Sequence, residues 1–89
     1  MYEIIRTAQF KRDVKKTLRR NKDVDKLKEL IKKLVKGEAL DAKYRDHPLK
    51  GDCRDYRDCH IEPDWILIYR IKSEKLNLIR TGSHSDLFL

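Results

Sequence analysis

The chain has 89 residues, 42% of them charged, with a formal net charge of +7. That length allows one domain, spanning residues 1–89, with a single modest core, and excludes a second. Its longest apolar run, Trp65 to Tyr69, is far too short to cross a bilayer, and Met1 is followed by a polar segment rather than a secretory h-region, so a cytoplasmic protein without a membrane partner is expected.

Tyr2 to Arg6 reads as a short strand, after which Thr7 offers a hydroxyl N-cap for a helix with Phe10, Val14 and Leu18 at four-residue spacing. The other faces of that helix carry Lys11, Arg12, Lys15, Lys16, Arg19 and Arg20. After a turn at Asn21-Lys22, Asp23 caps a second helix whose stripe runs through Val24, Leu27, Leu30, Ile31, Leu34 and Val35, and Gly37 stands where a left-handed C-terminal residue belongs. The spacing predicts an antiparallel helical hairpin covering one face of a sheet. Residues 1–50 hold 16 Lys/Arg against 8 Asp/Glu, while residues 51–89 hold 6 against 7. A basic half of this kind suits a polyanion such as nucleic acid, or an acidic protein partner; a merely solvated helical surface is the plainer alternative.

Glu38 to Gly51 shows no period and contains Pro48, which reads as a long surface loop of the sort that often carries function. From about Arg54 the pattern becomes that of a three-strand meander. A strand to His60 or Ile61 is followed by a bend at Glu62-Pro63-Asp64, a strand from Trp65 to Ile71, a turn at Lys72-Ser73-Glu74 and a strand from Leu76 to Thr81. Cys53 and Cys59, six apart in the first of these strands, would face one side without reaching each other, as reduced thiols. The tail ends on Leu87-Phe88-Leu89 and is expected to dock. The expected fold is α+β, with an N-terminal strand and a two-helix hairpin packed on a small, mostly antiparallel sheet in the order β-α-α-β-β-β.

In such a meander the end of the first strand, the start of the second and the end of the third share one sheet edge. His60, Asp64, Trp65 and His84 should therefore be neighbours, with His47 joining if its loop folds back. An imidazole has a pKa of about 6.5 and can take or give a proton near neutrality. RNA carries its own nucleophile, the 2′-hydroxyl, so strand cleavage needs only a base, an acid for the leaving 5′-oxygen and positive charge for the phosphorane-like transition state. Asp64 would share the proton work or orient a histidine. Arg80, with Lys50 and Arg57 behind it, is placed to hold the scissile phosphate, and Trp65 and Phe88 to stack on bases. Each residue also has a structural alternative: a histidine in a small domain is more often structural than catalytic, Trp65 can belong to the core, and Phe88 can close it. A zinc site from His47, His60, Asp64 and His84 has suitable ligand types but lacks a close His-x-x-x-His pair, and no cofactor is expected.

At these residues the chain resembles the YafQ-type toxins of the RelE/ParE superfamily, from bacterial type II toxin–antitoxin modules. The resemblance rests on Asp46-His47-Pro48-Leu49 followed by Gly51, on the run Tyr56-Arg57-Asp58-Cys59-His60-Ile61-Glu62-Pro63-Asp64-Trp65 continuing to Tyr69, and on Arg80-Thr81-Gly82-Ser83-His84-Ser85-Asp86-Leu87-Phe88. Tyr44 and the Lys-rich second helix extend it along the chain. It implies a RelE-like ribonuclease that enters the ribosomal A site and cuts mRNA there without metal, leaving a 2′,3′-cyclic phosphate. By the same resemblance His47, His60, Asp64, Trp65, His84 and Phe88 act in catalysis or substrate contact. The implied partners are the 70S ribosome with its mRNA and an antitoxin of the DinJ/RelB kind, through which alone operator DNA would be met. Two rivals stand beside this reading: a ParE-like gyrase inhibitor that cleaves nothing, and a basic ribosome- or RNA-binding module with an inert sheet edge.

Overall fold

A computed structural model describes residues 1–49 and 55–88. The expected positions of Lys50 and Cys53 lie outside those residues. Five strands form one sheet: β1 (Glu3–Arg6), β2 (His47–Pro48), β3 (Arg57–Glu62), β4 (Trp65–Lys72) and β5 (Lys75–Gly82), in the spatial order β1-β5-β4-β3-β2. β1 runs parallel to β5 and all other pairs are antiparallel, so the N-terminal strand completes the sheet as expected.

Between β1 and the meander lie α1 (Ala8–Arg19) and α2 (Val24–Val35). Thr7 starts α1 and ties it to the sheet: its hydroxyl accepts from the Phe10 amide at 2.9 Å and donates to the Ile79 carbonyl at 2.8 Å. Asp23 caps α2 through the Asp25 amide, and Gly37 follows that helix with φ of 71°. Leu27, Leu30 and Leu34 of α2 and Phe10 of α1 pack on Cys59, Trp65, Leu67, Tyr69, Leu76 and Leu78 to form the core.

The face that α1 turns to the sheet differs from the expected stripe. Phe10, Asp13 and Thr17 are buried, whereas Leu18 is 55% exposed. The cause is Asp13, whose carboxylate accepts two hydrogen bonds from Arg80 at 3.1 Å and a third from the Thr81 amide at 3.2 Å. Those bonds turn positions three and seven after Phe10 inward, leaving Val14 half-buried at the margin of the core and Leu18 outside it. Burial alone would raise the Asp13 carboxyl, but the hydrogen bonds from Arg80, Gln9 and the Thr81 amide prevail and hold it below the usual carboxylate range.

The segment expected as an unstructured loop contains a 3-10 turn at Ala42–Tyr44, a left-handed Arg45 with φ of 47°, and then β2. A three-residue turn and a two-residue strand are too short to impose a period on the sequence. The β4–β5 connection is shorter than expected. Only Ser73 and Glu74 lie outside the strands, at φ of 53° and 61°, the positive values that a two-residue turn between right-twisted strands requires. The tail docks through a short helix, α3 (His84–Phe88).

Candidate active site

Cross-strand partners point to the same face of a sheet. On β4, Trp65, Leu67 and Tyr69 belong to the core beneath the helices. Ile66 and Ile68 alternate with them and are 1% and 8% exposed, forming the floor of the opposite face. His60 pairs with Ile66 and Asp58 with Ile68 on one side, while Gly82 and Arg80 pair with them on the other. β2 adds His47, directly opposite Asp58. The β3–β4 hairpin and the β5–α3 junction supply Asp64 and His84.

The three imidazoles form a row. Ring centroids of His47 and His60 are 6.5 Å apart, those of His60 and His84 5.7 Å, and the Phe88 ring lies 6.0 Å beyond His84. Each Nδ1 meets an acceptor. His47 Nδ1 is 2.6 Å from the Arg45 carbonyl, His60 Nδ1 3.2 Å from the Pro63 carbonyl, and His84 Nδ1 2.7 Å from Asp64 Oδ1. A carbonyl or carboxylate only accepts, so these contacts assign the hydrogen to Nδ1 in all three rings. Among the described residues, Nε2 of His60 and of His84 then has no partner, whereas Nε2 of His47 lies 3.0 Å from Asp58 Oδ1.

Two carboxylates thus hold two histidines in different surroundings. Asp64 is exposed and accepts both the backbone amide of His84, at 2.9 Å, and its ring. Those two bonds, backbone first, hold its carboxyl below the usual range. Asp58 is 5% exposed, and burial pushes its carboxyl up, opposed in part by the neighbouring His47 and His60. With Nδ1–H of His47 donated to Arg45, its Nε2 faces the buried Asp58 Oδ1 at 3.0 Å, an oxygen with no hydrogen-bond partner among the described residues.

Both ends are braced. At the His47 end, Asp46 accepts from the Tyr69 hydroxyl at 2.6 Å and from Arg57 Nε and a terminal nitrogen at 3.3 Å, clamping the residue before His47 to β3 and β4. Burial and the bond to Asp46 raise the Tyr69 hydroxyl well above its ordinary range, so it remains a donor. At the His84 end, Asp86 and Ser83 cap α3 reciprocally, through Ser83 N–H to Asp86 at 2.9 Å and Asp86 N–H to Ser83 Oγ at 3.2 Å. Arg20 at 2.7 Å and Lys16 at 3.1 Å join Asp86 from α1 and lower its carboxyl. The helix lies so close to β5 that a Cβ on Gly82 would stand 3.0 Å from Asp86 atoms.

The expected cluster of His47, His60, Asp64 and His84 therefore lies together, with Phe88 beside it and 49% exposed. Trp65 does not offer a stacking face. It is 2% exposed, and its indole N–H donates to Thr81 Oγ1 at 3.0 Å, so the expectation of base stacking there is corrected to a core role. The residues that follow it to Tyr69 are all apolar, and a run buried on both faces gives no alternation from which to choose a side. Arg80 and Arg57 are each engaged by a carboxylate, Asp13 and Asp46, with two guanidinium nitrogens apiece. Their remaining N–H groups are what a substrate would meet. Sequence reasoning missed Asp58; its signal is the Asp-x-His spacing on one strand, which puts Asp58 and His60 on the same face.

Fold and site together define a class: a basic α+β domain of RelE-like architecture carrying imidazoles and carboxylates on the open face of its sheet. The chain belongs to the YafQ family, described as the bacterial toxin of type II toxin–antitoxin systems, whose model matches residues 2–89. It is 47% identical over 83 residues to the mRNA interferase toxin YafQ of Escherichia coli K12, covering 92% of this chain and 90% of that one. The toxin in the E. coli DinJ–YafQ complex superposes with a TM-score of 0.94 at 44% identity, over 100% of both chains. A copper-bound mutant toxin from Helicobacter pylori gives a TM-score of 0.95 at 42% identity, over 99% of this chain and 100% of that one. Among the described residues here, no group of three or more His, Cys, Asp or Glu side chains is placed to hold a metal ion. Nor is any described helix long and apolar enough to cross a membrane.

Proposed function

We propose that this chain is an mRNA interferase that cuts message in the ribosomal A site by acid/base catalysis, with the 2′-hydroxyl as nucleophile. The observation that carries the reading is the pair of imidazoles, His60 and His84, 5.7 Å apart with Nδ1 engaged and Nε2 unpartnered among the described residues. Nε2 of His60 takes the 2′-proton, the 2′-oxygen attacks phosphorus, and Nε2 of His84 in its protonated form gives its proton to the departing 5′-oxygen. The products are a 2′,3′-cyclic phosphate and a 5′-hydroxyl. Asp64 holds His84 in the tautomer whose Nε2 faces outward for this work and stabilises the ring while it is charged. His47, in its protonated form, supplies positive charge at the other end of the row, where charge develops on the phosphorane oxygens. Phe88 stacks on an unpaired base. Arg80 and Arg57 present their remaining N–H groups to the backbone, and Lys50 adds charge from outside the described residues.

Two relatives support the biological setting: one is named an mRNA interferase toxin, the other was solved with DinJ. The partner proposed for this chain is accordingly a DinJ-like antitoxin whose acidic segment covers the basic helices. The site is small and open, which suits an enzyme whose substrate is positioned by the ribosome, and cleavage of naked RNA is expected to be weak. The test is induction of the wild type and of His84→Ala, with mapping of mRNA 5′ ends. Translation-dependent cuts in coding frames that vanish in the variant are expected. Identical cut maps for both proteins, or intact mRNA accompanied by loss of DNA supercoiling, would overturn the reading.

A further inference from the structure

Beside the histidine row lies a second feature that the acid/base chemistry does not use. α2, the 3-10 turn and the end of β3 enclose a cleft of about 490 Å³, within the range of sites that hold a small ligand. His60 lines both this cleft and the catalytic row, so the two are continuous. In the cleft the half-buried Tyr44 ring has Lys33 Nζ 5.4 Å and Lys43 Nζ 5.1 Å from its centroid. Arg45 also lines it, and that residue's carbonyl fixes Nδ1 of His47. Of the two carboxylates that line it, Glu62 is paired with Lys22 at 3.1 Å and Lys26 at 2.9 Å, while Glu29 makes no ion pair among the described residues and is outnumbered by Lys33, Lys43 and Arg45.

We propose that this cleft is a nucleotide subsite, which takes the RNA residue flanking the scissile phosphate, with its base against Tyr44 and its phosphate among Lys33, Lys43 and Arg45. The inference rests on the reading of the histidine row as an RNA-cleaving site and names where the adjoining nucleotide goes. An aromatic ring with two ammonium groups over it, beside an acid/base cluster, can trade a lysine for a base as that lysine moves to the phosphate, which matches the chemistry by which single-stranded RNA is gripped. An acidic peptide would use the lysines but would leave the continuity with His60 without purpose. Because one residue, Arg45, both lines the cleft and orients His47, filling the subsite also steadies the row.

The test uses ribosomes programmed with an mRNA carrying 4-thiouridine at the nucleotides on either side of the cut, together with the full chain. Photocrosslinks to Tyr44, Lys33 or Lys43 from one of those positions are expected. Tyr44→Leu, which keeps apolar packing but removes the flat face, should lower the cleavage rate about tenfold or more, and Tyr44→Trp should restore it to within a few-fold. The pair Lys33→Gln and Lys43→Gln carries the test should Tyr44→Leu fold poorly by circular dichroism, and a loss of similar size is expected. Crosslinks that fall only outside the cleft, with wild-type cleavage by these variants, would overturn the proposal. So would unchanged cleavage with weakened antitoxin binding, which would assign the cleft to the protein partner. Retention of cleavage by His84→Ala would instead sink the acid/base reading, and the crosslinks would still report on the cleft.

Discussion

The two ends of the histidine row hold an imidazole with a carboxylate in opposite ways. At the α3 end Asp64 is exposed, takes two hydrogen bonds from one residue and has its carboxyl lowered, so it is a steady anion that orients His84. At the β2 end Asp58 is buried, has its carboxyl raised by that burial, and faces Nε2 of His47 at 3.0 Å while Nδ1 of that ring is held by a backbone carbonyl. The same residue pair, Asp with His, thus stands in solvent at one end and over a buried carboxylate at the other, which under the proposed mechanism leaves His84 the freer of the two to exchange a proton. Solvent access makes the difference.

That contrast can be broken experimentally. His84→Ala removes the proton donor and should reduce ribosomal cleavage by about 10² or more, read as single-turnover rate. Asp64→Asn leaves the donor but no longer fixes its tautomer, and a smaller loss of about tenfold is expected. Equal losses in the two variants would make Asp64 a participant in proton transfer. Gly82→Ala drives a methyl group against Asp86 and should cost about 1–2 kcal/mol in urea denaturation, loosening α3 and with it His84 and Phe88. An unchanged midpoint would show that α3 does not need its close seat on β5.

The smallest effects separate the carboxylates by pH. Asp86 has a lowered carboxyl, so the stability it contributes is complete above the ordinary carboxylate pKa of about 3.9 and disappears as pH falls through the lowered folded value. Asp58 has a raised carboxyl, so its ionisation opposes folding, and stability is lost as pH rises from about 3.9 through the raised value. Relative to wild type, Asp86→Asn should therefore look worse at pH ~7 than at ~3, and Asp58→Asn better, each by about 1 kcal/mol or less. Denaturation at the two pH values measures both signs. The same sign for both variants would contradict the opposite shifts of Asp86, which braces the α3 end, and Asp58 at the β2 end.

Much of the site could be read from the sequence because it depends on strand ends. A meander brings His60, Asp64 and His84 to one edge whatever the details of its core, and the hairpin at Pro63 fixed that topology. What could not be read depended on partners far along the chain. Asp13 turns α1 because Arg80 lies 67 residues away in sequence, and no local spacing of Phe10, Val14 and Leu18 reports that. The face of Trp65 was equally hidden, since every residue from Trp65 to Tyr69 is apolar and both sides of β4 are covered. Asp58 went unnoticed because its interest comes from burial and from a two-residue strand, His47–Pro48, too brief to leave a pattern.

The account turns on which ring nitrogens are available for proton transfer, and nitrogen-15 NMR of the histidine side chains measures that directly. In their neutral forms His60 and His84 should both appear as the tautomer protonated at Nδ1, and Asp64→Asn should release His84 alone to a mixture. A dominant Nε2–H tautomer in the wild type would contradict this: at His60 the atom assigned to take the proton would already carry one, and at His84 the ring would not be held through Nδ1–H by Asp64.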